Sequence, residues 1–144
     1  VVNTIDYITI ASTANAQDFG DLINPATVTS GCSCSSPTRS IFAGGANPGA
    51  TNNIEFVTTS TLGNATDFGD MSVARRAYGA TSNKTRGLFF GGYSSSVSNI
   101  IDYITVATPS NATDFGDIAQ DGTTTHGCTS VGNNTRGFIA GGET

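Results

Sequence analysis

The stretch NATDFGD, residues 64–70, decides the fold, because its last four residues occur three times in the chain. The same DFGD string stands at residues 18–21 and 114–117, at offsets of 49 and 47 residues from the central copy. An active site is normally needed once per chain. Even spacing of three copies therefore favours a repeated structural part.

Other strings repeat with the same spacing. Strings of the Ile-Asp-Tyr type begin at Ile5, Ile54 and Ile101, and three Thr-Arg pairs each lead through a short apolar run into two glycines. The 144 residues thus hold three repeats, and 144/3 gives a period of 48 residues. A period of this length is typical of β-propeller blades and too long for most helical or leucine-rich repeats.

Composition agrees with an all-β chain. It has 18 glycines, only 12% charged residues, and no segment with the apolar spacing of an amphipathic helix. No apolar run approaches the roughly 20 residues that a membrane-spanning helix needs. The net charge of −5, without an extended basic patch, argues against nucleic acid as a partner. We predict no substantial helix and no membrane insertion.

Each repeat predicts four short strands. Residues 100–106 carry apolar side chains on both faces, as in a sheet that is covered on both sides. Residues 86–90 form a second strand before a glycine pair, and the DFGD segment and residues 77–81 supply two weaker ones. We therefore predict one domain, 1–144, of three four-stranded repeats: 1–50, 51–98 and 99–144.

These residues resemble the kelch repeat family, in which a hydrophobic strand ends in a Gly-Gly pair and an aromatic-bearing strand follows. Here the order is TRGLFFGG, residues 85–92, and then NIIDYITVAT, residues 99–108. Phe19, Phe68 and Phe115 stand where kelch repeats usually have tryptophan. The wording of the repeat is more closely similar to kelch-like repeats in virion structural proteins of marine bacteriophages. The resemblance implies kelch-like propeller blades and a place in a phage tail or fibre.

The recurring polar residues and glycines are expected to be structural. A carboxylate within a strand that is apolar on both faces is costly unless it is paired, and a guanidinium is a natural partner. We expect each repeat arginine to pair with a repeat carboxylate, and DFGD to form a strand-end turn. A repeated calcium site and catalysis are less favoured alternatives. The residues concerned are Asp6, Glu55, Asp102, Asp18, Asp67, Asp114, Arg39, Arg86, Arg136, Gly44, Gly45, Gly91, Gly92, Gly141 and Gly142.

The sequence predicts no enzyme and no cofactor. His126 is the only histidine, so a histidine-rich metal centre is excluded, including the two-histidine copper site of galactose-oxidase-like propellers. Asp121 with His126 is the only candidate for a non-repeating catalytic cluster. Three cysteines cannot make a four-cysteine zinc site, and we expect Cys32, Cys34 and Cys128 to act as small buried residues. A disulfide from Cys32 or Cys34 to Cys128 stays open.

Three blades do not close a propeller ring, which usually has four to eight blades. Two copies could form a six-bladed ring, the chain could be a segment of a longer repeat protein, or repeats could stack in a fibre. The expected partner is therefore the protein itself or neighbouring repeats.

The leading functional hypothesis is a non-enzymatic structural or adhesion module of a virion, which binds a host surface glycan or protein through loops. Loops carry recognition when a rigid scaffold lies beneath them. Arg75, Arg76, Tyr78 and Tyr93 are the candidate ligand-binding residues, because they lie where the repeats differ. The alternatives are a propeller subunit of a carbohydrate-active enzyme and a cellular kelch-type interaction domain.

Overall fold

The computed structural model describes residues 2–26, 32–119 and 127–142. These residues form twelve β-strands and no helix, which confirms the predicted all-β class. None of them forms a helix able to cross a membrane. The strands are β1 (Val2–Tyr7), β2 (Gln17–Ala26), β3 (Cys32–Ser35), β4 (Arg39–Ala43), β5 (Asn53–Thr58), β6 (Thr66–Asp70), β7 (Gly79–Ser82), β8 (Arg86–Phe90), β9 (Ile100–Thr105), β10 (Thr113–Asp117), β11 (Thr129–Gly132) and β12 (Gly137–Ala140).

All strand pairs are antiparallel and form four sheets. The first full sheet has the order β3-β4-β5-β6, and the second has the order β7-β8-β9-β10. Strands β1 and β2 form a two-stranded N-terminal pair, and β11 and β12 form a two-stranded C-terminal pair. The described strands are as many as the sequence predicts, and they are grouped in sheets of two, four, four and two strands.

The different grouping has a physical reason in the pairing of the central strands. Strand β4 pairs with β5 across the loop 44–52, and β8 pairs with β9 across the loop 91–99. The predicted boundaries after residues 50 and 98 therefore fall inside the two full sheets. The chain passes from the first full sheet to the second after a DFGD strand, through residues 71–78.

The apolar core lies between neighbouring sheets. Ile41, Ile54 and Phe68 of the first full sheet join Phe89 and Ile104 of the second in one buried cluster. A smaller buried cluster joins the N-terminal pair to the first full sheet through Phe19, Val57 and Ala65. Both faces of the first full sheet thus carry apolar residues, because it packs against the N-terminal pair on one side and the second full sheet on the other.

Candidate functional site

The DFGD strings form β-bulges inside β2, β6 and β10. Asp67 faces Glu55 and Gly69 faces Ile54, so Phe68 is an extra residue in its strand. Gly69 has a φ of 139°, and the Asp67 side chain accepts a hydrogen bond from its N–H at 3.3 Å. The aspartate thus accepts a backbone hydrogen bond and the glycine bends the chain within a strand, so the predicted strand-end turn is wrong. Among the described residues, no cluster of acidic, histidine or cysteine side chains could hold a metal.

Each internal bulge contacts a loop of the next sheet. A Cβ on Gly69 would lie 2.5 Å from the carbonyl oxygen of Ser110, so only glycine fits there. The Asn111 side chain accepts a hydrogen bond from the N–H of Asp70 at 3.1 Å, and Ala112 donates to the carbonyl of Asp70 at 2.8 Å. We call this arrangement the asparagine clamp. The sequence analysis missed it, although an Asn-Ala pair precedes every DFGD string.

The same clamp joins the N-terminal pair to the first full sheet. The Asn64 side chain accepts a hydrogen bond from the N–H of Asp21 at 3.1 Å, and Ala65 donates to its carbonyl at 2.8 Å. A Cβ on Gly20 would lie 2.5 Å from the carbonyl oxygen of Gly63. The clamp is therefore a repeated contact between sheets.

The buried acidic residues of β5 and β9 hold the segment that precedes their sheet. Glu55 accepts hydrogen bonds from the N–H groups of Ile23 and Asn24 at 2.8 and 3.0 Å. Asp102 accepts from the N–H of Ser72 at 3.1 Å and forms a salt bridge with Arg75 at 2.9 Å. These partners offset the cost of removing each carboxylate from water.

The repeat arginines have partners other than the predicted carboxylates. The guanidinium of Arg39 lies 4.4 Å from the centre of the Phe56 ring and donates to the carbonyl of Val106 at 2.7 Å. The guanidinium of Arg86 lies 5.0 Å from the centre of the Tyr103 ring. No described carboxylate forms a salt bridge with either arginine. The predicted arginine–carboxylate pairing is therefore corrected to a cation–π contact.

The internal glycine pairs form corners where the connecting segment approaches too closely for a side chain. Gly44, Gly45, Gly91 and Gly92 are buried and have positive φ angles. A Cβ on Gly44 would lie 2.7 Å from the carbonyl oxygen of Arg75. Gly141 and Gly142 also have positive φ angles but are exposed. The internal corners therefore require glycine for two physical reasons, a positive φ and the close approach of another backbone.

Two of the four candidate ligand-binding residues lie in the interior. Arg75 and Tyr78 are fully buried, and the Tyr78 hydroxyl donates to the carbonyl of Ala43. Burial lowers the pKa of Arg75, and the charge of Asp102 opposes that shift. Burial raises the pKa of Tyr78 above its ordinary value. The prediction that these two residues bind a ligand at the surface is therefore wrong, because neither side chain can reach a ligand in solvent.

The other two candidates lie together at the surface. The guanidinium of Arg76 lies 5.5 Å from the centre of the Tyr93 ring, and their backbones exchange hydrogen bonds at 2.9 and 2.8 Å. Tyr93 lies in the loop after β8, which corresponds to the loop after β4. We call the two loops, residues 44–52 and 91–99, the loop edge, because equivalent strands end there.

A cleft of about 280 Å³ opens beside the first loop of this edge. Four of its eight lining residues are asparagines: Asn24, Asn47, Asn52 and Asn53. An amide offers both a donor and an acceptor for hydrogen bonds. The chain at position 26 has alanine where the next repeat has Arg75, so the sequence places no large side chain at the equivalent point.

None of the three cysteines forms a disulfide within the described residues. Cys32 donates to the carbonyl of Tyr78, and burial raises the pKa of Cys32 to about 11, with Cys128 adding to the shift. Burial raises the pKa of Cys34 to about 12. Cys34 belongs to the main apolar cluster. Cys34 thus packs as a small apolar residue, as expected, and the open disulfide alternative is not formed.

The predicted non-repeating pair, Asp121 and His126, lies outside the described residues. In comparisons with known proteins, no family model matches the chain and no curated protein matches it.

Proposed function

We propose that this chain is a non-enzymatic structural and adhesion module of a virion, and that its sheets are kelch-like propeller blades. The observation that carries the proposal is the internal use of the repeated polar residues. Glu55 and Asp102 hold backbone segments, Asp67 holds its own bulge, and Arg39 and Arg86 cover aromatic rings. These groups support a scaffold and leave recognition to the loops.

The virion setting rests on the sequence resemblance to repeats of phage structural proteins. A particle outside the cell is the location that follows from it, and a tail or fibre is the part concerned. The proposed ligand is a glycan on the bacterial surface, because the loop edge has an asparagine-lined cleft at its first loop and the half-buried Tyr93 and Arg76 at its second. Amides and aromatic faces suit the hydroxyl groups and apolar faces of sugars.

Binding of the protein to an array of purified bacterial surface polysaccharides tests the adhesion proposal. We expect saturable binding without cleavage of the bound saccharide. The substitutions Tyr93→Ala and Asn52→Ala should each weaken that binding at least tenfold. Lys84→Ala is the matched control, because Lys84 is exposed in the turn at the opposite end of β8.

The outcomes separate the possible ligands. Absence of polysaccharide binding, together with binding to outer-surface protein from the same bacteria, would replace the glycan with a protein ligand. Equal loss of binding in the Lys84 control would remove the loop edge from the proposal. Cleavage of the bound saccharide would overturn the non-enzymatic assignment.

A further inference from the structure

In each two-stranded pair, one strand corresponds to a central strand of the full sheets but has only one neighbour among the described strands. In the full sheets, β4 and β8 hydrogen-bond to a strand on each side. Their counterpart β12 pairs only with β11, and β1, the counterpart of β5 and β9, pairs only with β2. An open edge presents unpaired N–H and C=O groups, which are a template for another strand.

The two open strands also end before the positions at which their counterparts pair. Strands β4 and β8 begin at an arginine, whereas β12 begins one residue later, after Arg136. Strands β5 and β9 end at Thr58 and Thr105, whereas β1 ends at Tyr7, two residues before the equivalent Thr9. In the full sheets those arginines face those threonines. Arg136 and Thr9 thus lie outside their strands because neither has a facing strand to pair with.

Apolar side chains beside the open edges are exposed where their counterparts are buried. Ile8 is 62% exposed, against 5% for Val57 and 1% for Ile104. Ile10 is 96% exposed, against 2% for its counterpart Val106. Phe138 is 52% exposed, and its counterpart Ile41 is fully buried. A neighbouring sheet of the same kind would remove these side chains from water.

In each full sheet an arginine covers an aromatic ring, which packs on a second ring. The corresponding arginine and ring pair of the remaining strands lie at opposite ends of the chain. Arg86 covers Tyr103, which packs edge-to-face on Phe115 at 6.0 Å between ring centres. Tyr7 and Phe19 form the same ring pair at 5.8 Å in the N-terminal pair. The third arginine, Arg136, lies in the C-terminal pair, and no described ring lies beneath it.

We propose that β12 of one copy of this chain pairs with β1 of a second copy, giving a composite sheet with the order β11-β12-β1-β2. The inference deepens the proposed function, because it rests on the interpretation of the full sheets as blades and names the partner. The full sheets set the register: Arg136 faces Thr9, Phe138 faces Tyr7, and Ala140 faces Ile5. Arg136 then covers the Tyr7 ring of the second copy.

The asparagine clamp supplies a second contact between the same two copies. Gly116 has the bulge conformation, with a φ of 136°, but no atom lies within 4 Å of where its Cβ would be. The counterparts Gly20 and Gly69 both touch the loop of the next sheet. In the composite sheet that loop is residues 14–16 of the second copy, and Asn15 accepts from the N–H of Asp117.

Disulfide cross-linking tests the register. In β8–β9, Arg86 and Thr105 face each other without exchanging hydrogen bonds, since the neighbouring pair is joined from Val106 N–H to the Thr85 carbonyl. Cα atoms in such a pair lie about 4.5 Å apart, which suits a disulfide. Equal amounts of a Thr9→Cys chain and an Arg136→Cys chain are mixed, oxidised mildly and separated without reductant.

We expect a covalent dimer in that mixture. The matched control mixes Ile10→Cys with Arg136→Cys, because neighbouring residues of a strand point to opposite faces. Each variant oxidised alone measures the background from the native thiols. Cross-linking no stronger than this background, or equal cross-linking in the Ile10 control, would overturn the proposed register.

Association measured by light scattering provides the second test. Arg136→Ala should raise the dissociation constant about fivefold, the equivalent of one exposed cation–π contact. Gly116→Ala should raise it more than Gly63→Ala, since Gly63 shares a positive φ and has open space around it. A wild-type chain that stays at 14.6 kDa up to high concentration would overturn the inference.

The two proposals fail in different ways. A cross-linked dimer that binds no glycan or surface protein would remove the adhesion function and leave the composite sheet in place. A monomer that binds glycan through Tyr93 would remove the composite sheet alone.

Discussion

The carboxylate of Asp102 and the guanidinium of Arg75 are both shielded from solvent, and a single short contact joins them. Three of their buried polar atoms have no hydrogen-bond partner among the described residues: Arg75 Nε and Nη1 and Asp102 Oδ1. An ion pair of this kind gains less than a fully bonded one, because the cost of desolvation is not completely offset. The pair is therefore sensitive to loss of one member.

Replacing Arg75 alone should destabilise the fold strongly. We expect Arg75→Met to lower the free energy of unfolding by about 3–5 kcal/mol, because Asp102 would stay buried without its counter-charge. The double variant Arg75→Met/Asp102→Asn should lose less, since the neutral amide still accepts from Ser72. Urea denaturation measures both, with the half-exposed Arg76→Met as control. A double variant that loses as much free energy of unfolding as Arg75→Met, or more, would contradict the charge argument.

Glycine at the bulge is required by a neighbour as well as by backbone conformation. Gly69→Ala and Gly63→Ala both place a Cβ at a positive φ, at 139° and 155°. Only Gly69 has a carbonyl oxygen in the way, so we expect Gly69→Ala to cost about 1–3 kcal/mol more. Thermal unfolding of the two variants checks this difference. Equal melting temperatures would mean that the clamp is loose.

Alkaline pH should destabilise the protein through its buried thiols. Folding raises the pKa of Cys32 to about 11 and of Cys34 to about 12, so the folded chain keeps protons that the unfolded chain releases above pH 9. The contribution of these two thiols to stability is therefore fully present below about pH 9 and is lost as the pH rises through about 11. Urea midpoints at pH 7, 9 and 10.5 should fall less in Cys32→Ala/Cys34→Ala. Parallel pH profiles would show that other groups carry the effect.

At the scale of elements, the loop that joins β9 to β10 spaces neighbouring sheets. Its Asn111 side chain accepts from the N–H of Asp70 in the preceding sheet. The N–H would otherwise lose a partner, and one such hydrogen bond contributes about 0.5–1.5 kcal/mol. The connection is therefore part of the packing between sheets.

Removing the asparagine amide should loosen that packing. We expect Asn111→Ala to lower the free energy of unfolding by about 1 kcal/mol. Asn111→Asp keeps an acceptor oxygen at the same place and should lose less. Chemical denaturation compares the two, and Ser95→Ala in the exposed loop 91–99 is the control. Equal losses in the alanine and aspartate variants would rule out the hydrogen bond as the cause.

The strand positions could be predicted from the sequence, because repeated apolar strings mark each strand three times. The grouping of strands into sheets could not, since a repeat period is the same wherever the unit is taken to begin. The glycine corners were predictable from the cost of a Cβ. The arginine partners were not: sequence gives residue types, whereas the register places Arg39 beside Phe56 and Arg86 beside Tyr103.

The candidate site was predictable only in part. The candidate ligand-binding residues were chosen where the repeats differ. Two of them, Arg75 and Tyr78, instead fill the space between the two full sheets. Large polar side chains bury well when a partner is present, and that partner, Asp102, lies in another repeat. Sequence variation therefore could not distinguish a buried arginine from the half-buried pair Arg76 and Tyr93.

At the scale of the whole molecule, the twelve described strands are enough for three four-stranded sheets, although only two such sheets are complete. If a second copy completes the divided sheet, folding and association are linked, and the folded state gains stability from its own concentration. We expect the melting temperature to rise by several degrees between 1 and 100 μM protein. Arg136→Ala should reduce that dependence. A melting temperature independent of concentration would contradict linked assembly.

The contact between Gly69 and residues 110–111 shows that the connections between strands differ in how freely they can be lengthened. The connections at 59–65 and 106–112 act as spacers of set length, because a longer one would push adjacent sheets apart. The loops 44–52 and 91–99 lie at the outer end of their sheets, and their tips, at residues 47–49 and 94–96, are exposed. Foreign peptides could be grafted into those tips, in register and on one side of the particle, without disturbing the stacking beneath them.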